Sequence, residues 1–427
     1  MGASAEGRAD LLVVGAGAAG LAAAIRAKAT APELAVVAVD GARSLGAKIL
    51  VSGGGRCNVT NESVRGEDFA GSSPRAVDKV LRQFDAARTR EWFAALGVEL
   101  KREELGKLFP ATDSARSVLD ALLAEAARRG VVLLHPFRVE SLVPVDGGFV
   151  AAGPQGELAA RRAILATGGL SLPKSGSDGH GFALARALGH GVTPTAPALV
   201  PLVLAEGHPL RALSGVSTFA RLEVREASGR RLAVAAGSLL LTHLGLSGPA
   251  ALDISRHWIL AARADPQVKL AAVFAPGVDP ARLDAELVDL DGRTVRSALA
   301  QRFAGAGTAE APDRLPERLI GVLAQLAGVE PATPGYRLSR ESRRKLVQGL
   351  TGLELPVVGD RGFAHAEATA GGVPLAELEL NSLASRRCPG LHLAGEVCDV
   401  DGRLGGFNFQ WAWSSGHVAG AGAARAL

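Results

Sequence analysis

Residues 11–20, LLVVGAGAAG, run directly into LAAAIRAKA at 21–29, and the reading of these two stretches decides the fold. Four apolar residues form a buried-strand pattern, three glycines make a tight turn, and an alanine-rich segment reads as a helix. Gly15 permits the turn, Gly17 lets backbone approach a pyrophosphate, and Gly20 allows the helix to lie against its strand. Ala18 opens that helix, whose first N–H groups are free to meet phosphate oxygens. A second apolar run, LAVVAVD at 34–40, ends in Asp40, at the distance where a dinucleotide ribose needs an acceptor. Strand, glycine turn, helix and carboxylate together indicate a dinucleotide site on a Rossmann-type α/β fold.

The composition sets bounds around that reading. A chain of 427 residues is too long for one ordinary core. Lys and Arg number 47 against 43 Asp and Glu, a surplus of 4, so the charge balance gives little support to nucleic-acid binding. A small-molecule substrate is therefore expected rather than a nucleic acid. The leading segment, residues 1–10, has no apolar core of the signal-peptide kind, and no run of apolar residues is long enough to span a bilayer; a cytoplasmic, non-membrane protein is expected. The 3 cysteines, Cys57, Cys388 and Cys398, form no C-x-x-C pair, and the 9 histidines show no two-His metal spacing, so neither a dithiol centre nor a metal is expected. Oligomeric state is not legible.

Beyond Asp40, residues 41–61 read GARSLGAKILVSGGGRCNVTN. Gly53, Gly54 and Gly55 give bare backbone on which a flat ring system can lie, flanked by Ser52, Arg56, Cys57 and Asn58, and we read the stretch as a ligand-facing loop. Cys57 has no His or second Cys near it in sequence, and a small buried thiol is the expectation. Residues 74–100 and 114–130 carry helical spacing, and residues 149–169 read as a hairpin returning a strand to the sheet. That strand ends in ATGG, whose Thr167, Gly168 and Gly169 bring backbone towards a cofactor again. Prolines 194, 197 and 201 mark an exit from the first domain. A β-rich, barrel-like domain is expected over 193–275, a helical insertion over 276–350, and a return to the first domain over 351–427. A closing helix near the C-terminus carries small residues suited to packing on the sheet.

The stretches GAGAAGLAAAI, SGGGRCNVTN, ATGG with GSDGHG, THLGLSGPAALDIS, ATAGGV and LAGEVCDVDGRLGGFNFQWAWSSG occur in this order along the chain. Together they resemble the three-domain bacterial FAD-dependent oxidoreductases that include aminoacetone oxidase and the dehydro-bile-acid reductases. The resemblance implies a Rossmann domain of the two-dinucleotide-binding-domain flavoprotein type, interrupted by the β-rich domain, and FAD as the cofactor. It also implies that Val139 offers backbone to the adenine, that Lys48 and residues 52–58 line the flavin, and that Gly395, Glu396 and the loop containing Asp399, Gly405, Gly406, Phe407 and Asn408 serve the ribityl chain and the pyrimidine edge. Asp40 departs from the Glu usual in that family, and His180 stands where relatives carry Asp. Trp411 and Trp413 read either as a stacking platform or as core. No residue stands out as an acid–base catalyst.

The reaction implied is hydride transfer between a small organic substrate and flavin N5, as an amine or amino-ketone oxidase or as an enone reductase. The chain holds no second GxGxxG unit after a strand, so a dedicated nicotinamide domain is not expected, although NADH or NADPH remains open as a transient electron donor. The alternatives are a flavoprotein that modifies RNA and one with a sensor or structural role.

Overall fold

The computed structural model describes residues 8–288, 290, 292–303 and 314–427, so most of the leading segment read above, and a stretch inside the expected helical insertion, lie outside it. The chain forms two compact units, one from residues 1–196 and 367–427 and one from residues 197–366.

The first unit is built on a sheet with four parallel pairings. Ala9–Val14 lies between Gly156–Leu165 and Val36–Val39, Val132–Leu134 continues beyond Val36–Val39, and Leu391–Leu393 flanks Gly156–Leu165. Leu11, Leu12 and Val13 are fully buried, as strands covered on both faces require. The hairpin is present, with Gly148–Gly153 antiparallel to Gly156–Leu165. Residues 74–100 split into two helices, Pro74–Leu81 and Ala86–Ala95, the first capped by Ser73 and the second by Asp85, which each accept a backbone N–H in the first turn.

The C-terminal helix Phe407–Arg425 makes its closest approach to the first helix, Ala18–Thr30, rather than to the sheet alone. A Cβ on Gly416 would stand 2.4 Å from the Ala19 carbonyl oxygen, and one on Gly420 would stand 2.2 Å from that of Ala23. Glycine at both positions is what lets the two backbones touch. Trp411 and Trp413 are buried core on this helix, their indole N–H groups donating to the carbonyls of Gly395 and Val59.

The second unit has its own core and a seven-stranded antiparallel sheet. Its two outermost strands, Leu353–Leu355 and Val357–Asp360, are separated in sequence by Pro356 alone. A flat sheet of that many strands would put its edges about 29 Å apart, so this one curls until the edges come together, which gives the barrel-like character. Its longest strand is Arg231–Leu241, paired with Ser217–Arg225. Because Leu353–Leu355 and Val357–Asp360 pair with Lys269–Val273 and Leu202–Leu204, the chain returns to the first unit at residue 367, not at the expected 351, and leaves it after residue 196, not 192. The helices Pro280–Glu286, Val295–Arg302, Glu317–Leu326 and Arg340–Gly352 belong to this second unit.

Candidate functional site: a crevice at the carboxyl ends of the parallel strands

Four segments picked out from the sequence follow directly on four neighbouring parallel strands: Gly15 after Val14, Asp40 after Val39, Thr167 to Gly169 after Leu165, and Gly395 with Glu396 after Leu393. The carboxyl ends of parallel strands are where open α/β sheets bind ligands.

At the first of these ends, each glycine has a separate cause. Gly15 has φ +101°, and a Cβ there would lie 2.4 Å from the Ala166 carbonyl oxygen; a Cβ on Gly20 would lie 1.8 Å from the Gly15 oxygen. A Cβ on Gly17 would meet nothing within 4 Å. Gly15 and Gly20 are therefore packing glycines, whereas Gly17 bares backbone to open space at the N-terminus of a helix with no capping side chain. Asp40 fastens this turn, with Oδ2 accepting from the Ala16 N–H at 2.9 Å and Oδ1 from that of Ala42 at 2.8 Å. Its remaining lone pairs are available to ribose hydroxyls.

The third and fourth ends meet around a carboxylate. Glu396 lies 2.5 Å from Lys48 Nζ and accepts from Ser171 Oγ at 2.8 Å, and Lys48 also donates to Ser171 at 2.7 Å. Burial pushes the Glu396 carboxyl up, but Lys48 and the hydroxyls of Thr369 and Ser171 outweigh it and hold the carboxyl below its ordinary range. Gly168 and Gly169 border this cluster, a Cβ on Gly169 falling 3.0 Å from Glu396 Oε1. Ser171 and Thr369, whose hydroxyl takes the N–H groups of residues 170 and 171, were missed by sequence reasoning. Their signal was adjacency to ATGG and ATAGG, the glycine turns they support.

The glycine run closes the short helix that starts at Ala47. Gly53, Gly54 and Gly55 have φ of +56°, +69° and +86°, and a Cβ on Gly54 would meet nothing within 4 Å. Ser52 lies in this turn and accepts the Cys57 N–H through its carbonyl. Cys57 is fully buried, and burial pushes its thiol up to about 12, so it holds no thiolate at neutral pH. Arg56 is taken up by Glu103 at 2.7 Å and Asp113 at 3.3 Å, with its guanidinium 4.1 Å from the centre of the Phe109 ring.

Asn58 and Asn61 do not present their amides to a ligand; they pin the loop before the C-terminal helix. Asn58 accepts from the Gly406 N–H and donates to the carbonyls of Thr60 and Leu108, while Asn61 Nδ2 donates to the carbonyls of Leu105 and Gly405, each at 3.1 Å. Asn408 holds both polar groups of Gly402, and Phe407 is buried against Phe69. Asp399 is buried beneath Gly71, where a Cβ would strike its carboxylate. The backbone left open at this end is the N-terminus of Phe407–Arg425, beside the half-buried Gly406. Val139 is buried in the connection between Val132–Leu134 and Ser141–Val145 rather than in a strand. His180 starts a helix and pairs its Nε2 with the Glu140 carbonyl at 3.0 Å.

This arrangement fits FAD. The open face at Gly17 suits a pyrophosphate, and two buried hydroxyls beside Gly168, those of Thr167 and Ser177, have no hydrogen-bond partner among the described residues and suit polar atoms of a bound dinucleotide.

Comparison with known proteins agrees with the geometry. Residues 9–422 match the family model described as HI0933-like protein Rossmann domain. The chain is 34% identical over 417 residues to the 3-dehydro-bile acid delta(4,6)-reductase of Clostridium scindens, covering 96% of this chain and 98% of that one. It is 32% identical over 410 residues to the ribosomal RNA dihydrouridine synthase of Escherichia coli, covering 96% of each. Among solved structures, the open conformation of a flavocytochrome c3 fumarate reductase superposes with a TM-score of 0.51 at 19% identity, over 99% of this chain and 79% of that one, which shows a shared fold. The chain belongs to the HI0933-like Rossmann-domain family and is an FAD-dependent oxidoreductase.

Proposed function

We propose that this protein is a reductase that saturates a carbon–carbon double bond conjugated with a carbonyl group, taking electrons from NADPH or NADH. The observation that carries this reading is the agreement of two relatives, each aligned over 96% of the chain, whose names describe the same bond change. A 3-dehydro-bile acid with Δ4 unsaturation is a conjugated enone, and the uracil ring of uridine has its C5–C6 double bond conjugated with C4=O. When bound, FAD supplies a hydride from N5 to the β-carbon of such a system.

The chain's own groups support that chemistry from one side. The N-terminus of Phe407–Arg425 favours negative charge at the cofactor's pyrimidine edge, which lowers the cost of holding its reduced form. Lys48 keeps Glu396 ionised, so the carboxylate accepts hydrogen bonds from ribityl hydroxyls and holds the ring system in place. The buried thiols of Cys57 and Cys398 stay protonated and take no part in electron transfer.

The substrate class favoured is a small hydrophobic enone of steroid size. A second reading keeps the reaction and changes the substrate to a uridine in ribosomal RNA, favoured by the relatives in Escherichia coli and Haemophilus influenzae, the latter 29% identical over 412 residues. The deciding experiment is anaerobic reduction with NADPH and NADH, followed by visible absorbance, and then reoxidation by a 4-en-3-one steroid or by protein-free ribosomal RNA. Bleaching by a nicotinamide and recolouring by the steroid is the expected result. Recolouring by RNA alone selects the second reading, and a flavin that neither nucleotide bleaches overturns both.

A further inference from the structure

A cleft of about 570 Å³ opens on the first unit, lined by the helices Ala18–Thr30, Ala86–Ala95 and Phe407–Arg425 and by the segment around Gln83 and Phe84. It is not the crevice described above. Ala18–Thr30 and Phe407–Arg425 both begin at that crevice and run away from it, and the cleft is lined by their later turns, at Arg26 and Arg425. At 1.5 Å per residue, Arg425 lies about 27 Å along its helix from Phe407.

The cleft's charge is unbalanced. Arg26, Arg88 and Arg425 line it against the single carboxylate of Glu91. Arg88 is occupied, donating to the carbonyls of Arg82 and Gln83. The side chains of Arg26 and Arg425 have no ion-pair or hydrogen-bond partner among the described residues, and Arg26 is half-buried. Burial first, and then the guanidiniums of Arg425 and Arg129, pull the Arg26 pKa down, the mark of like charges held together without a counterion.

His417 provides an independent feature. It is only 7% exposed, stacked on Phe84 with ring centres 3.5 Å apart and with the edge of Trp92 against it. Its Nδ1 lies 3.2 Å from the Trp413 carbonyl, which can only accept, so Nδ1 carries the proton. Burial and the nearby Arg26 bring the ring's pKa down to about 3, so it is neutral. Nε2 is then a lone-pair acceptor with no partner among the described residues, on a residue that lines the cleft.

We propose that this cleft binds a phosphate-bearing small molecule of nucleotide size, with the phosphate held by Arg26 and Arg425 and an O–H or N–H of the same molecule donated to His417 Nε2. Guanidiniums suit phosphate because their planar N–H pairs match its oxygens. The volume suits one nucleotide and lies within the range of small-molecule sites.

The test is calorimetric titration of the FAD-saturated protein with AMP, inorganic phosphate and adenosine at constant ionic strength. Expected are saturable binding of AMP, weaker binding of phosphate, none of adenosine, and a loss of at least about tenfold in AMP affinity for Arg26→Gln and for Arg425→Gln. His417→Phe, which keeps the ring stack, is expected to weaken AMP but not phosphate. Should Arg26→Gln fail to fold, Arg425→Gln, at the exposed end of its helix, carries the test. No saturable binding, or AMP binding unchanged in the Arg425→Gln variant, overturns the proposal. An RNA oligonucleotide that binds through Arg26 and Arg425 where AMP does not also overturns it, assigning the guanidiniums to a nucleic-acid backbone.

Discussion

Lys48 and Glu396 stand 2.5 Å apart with their side chains 27% and 19% exposed, so removing either charge leaves the other poorly solvated. Lys48→Met is expected to cost about 2–4 kcal/mol and to release FAD more readily; thermal unfolding and flavin retained on gel filtration check this. The pH dependence follows from the direction of the shift. A carboxyl whose pKa in the folded state lies below its unfolded value of 4.5 stabilises the fold above that value and loses the contribution as pH falls through the folded one. The Tm difference between wild type and Lys48→Met is therefore expected to be full at neutral pH and to shrink below about pH 4.5. Cys57, Cys388 and Cys398 are all buried and free. None is expected to react with a thiol reagent at neutral pH until denaturant is added, and Cys57→Ala is expected to keep its flavin. Individual roles were only partly legible in sequence. Lys48, Glu396 and the glycines sit in motifs whose backbone form follows from residue type, whereas the bonds that turn Asn58 inward include one to Gly406, hundreds of positions away.

The strand–turn–helix at the N-terminus was legible because its rule is local: a run of buried residues, a turn only glycine can make, and a helix pattern of period 3.6. Two of its glycines nonetheless predict opposite phenotypes. Gly20→Ala pushes a methyl to 1.8 Å from the Gly15 carbonyl and is expected to prevent folding of the first unit. Gly17→Leu meets no protein atom near its Cβ and is expected to fold with near-native far-UV dichroism but without flavin. A Gly17→Leu protein that purifies yellow would remove the pyrophosphate assignment. The Asn61 clamp belongs to the same scale. Its amide joins the Leu105 and Gly405 carbonyls, and Asn61→Ala, which leaves both without that donor, is expected to cost about 1–3 kcal/mol. This clamp was not legible, because it joins the NVTN stretch to a loop near the other end of the chain.

The two units have separate hydrophobic cores, one containing Leu11, Ile164 and Trp413 and the other containing Leu222, Leu239 and Leu323. Every residue proposed to hold FAD belongs to the first, so in scanning calorimetry excess FAD is expected to raise the transition of that core by mass action and to leave the second in place. A single transition shifting as a whole would mean that the cores unfold together. Composition and turn residues showed that a β-rich segment interrupts the Rossmann domain. They misplaced the return by treating the strands Leu353–Leu355 and Val357–Asp360 as its beginning, because a strand pattern does not say which sheet it joins. Gly416 and Gly420 bring the last helix against Ala19 and Ala23 of the first. Translation therefore delivers the glycine turn proposed to meet the pyrophosphate hundreds of residues before the helix that supports it. A nascent chain that has not yet reached this helix lacks the support of the proposed flavin pocket however much FAD surrounds it, and cofactor capture becomes a report that the helix has been made.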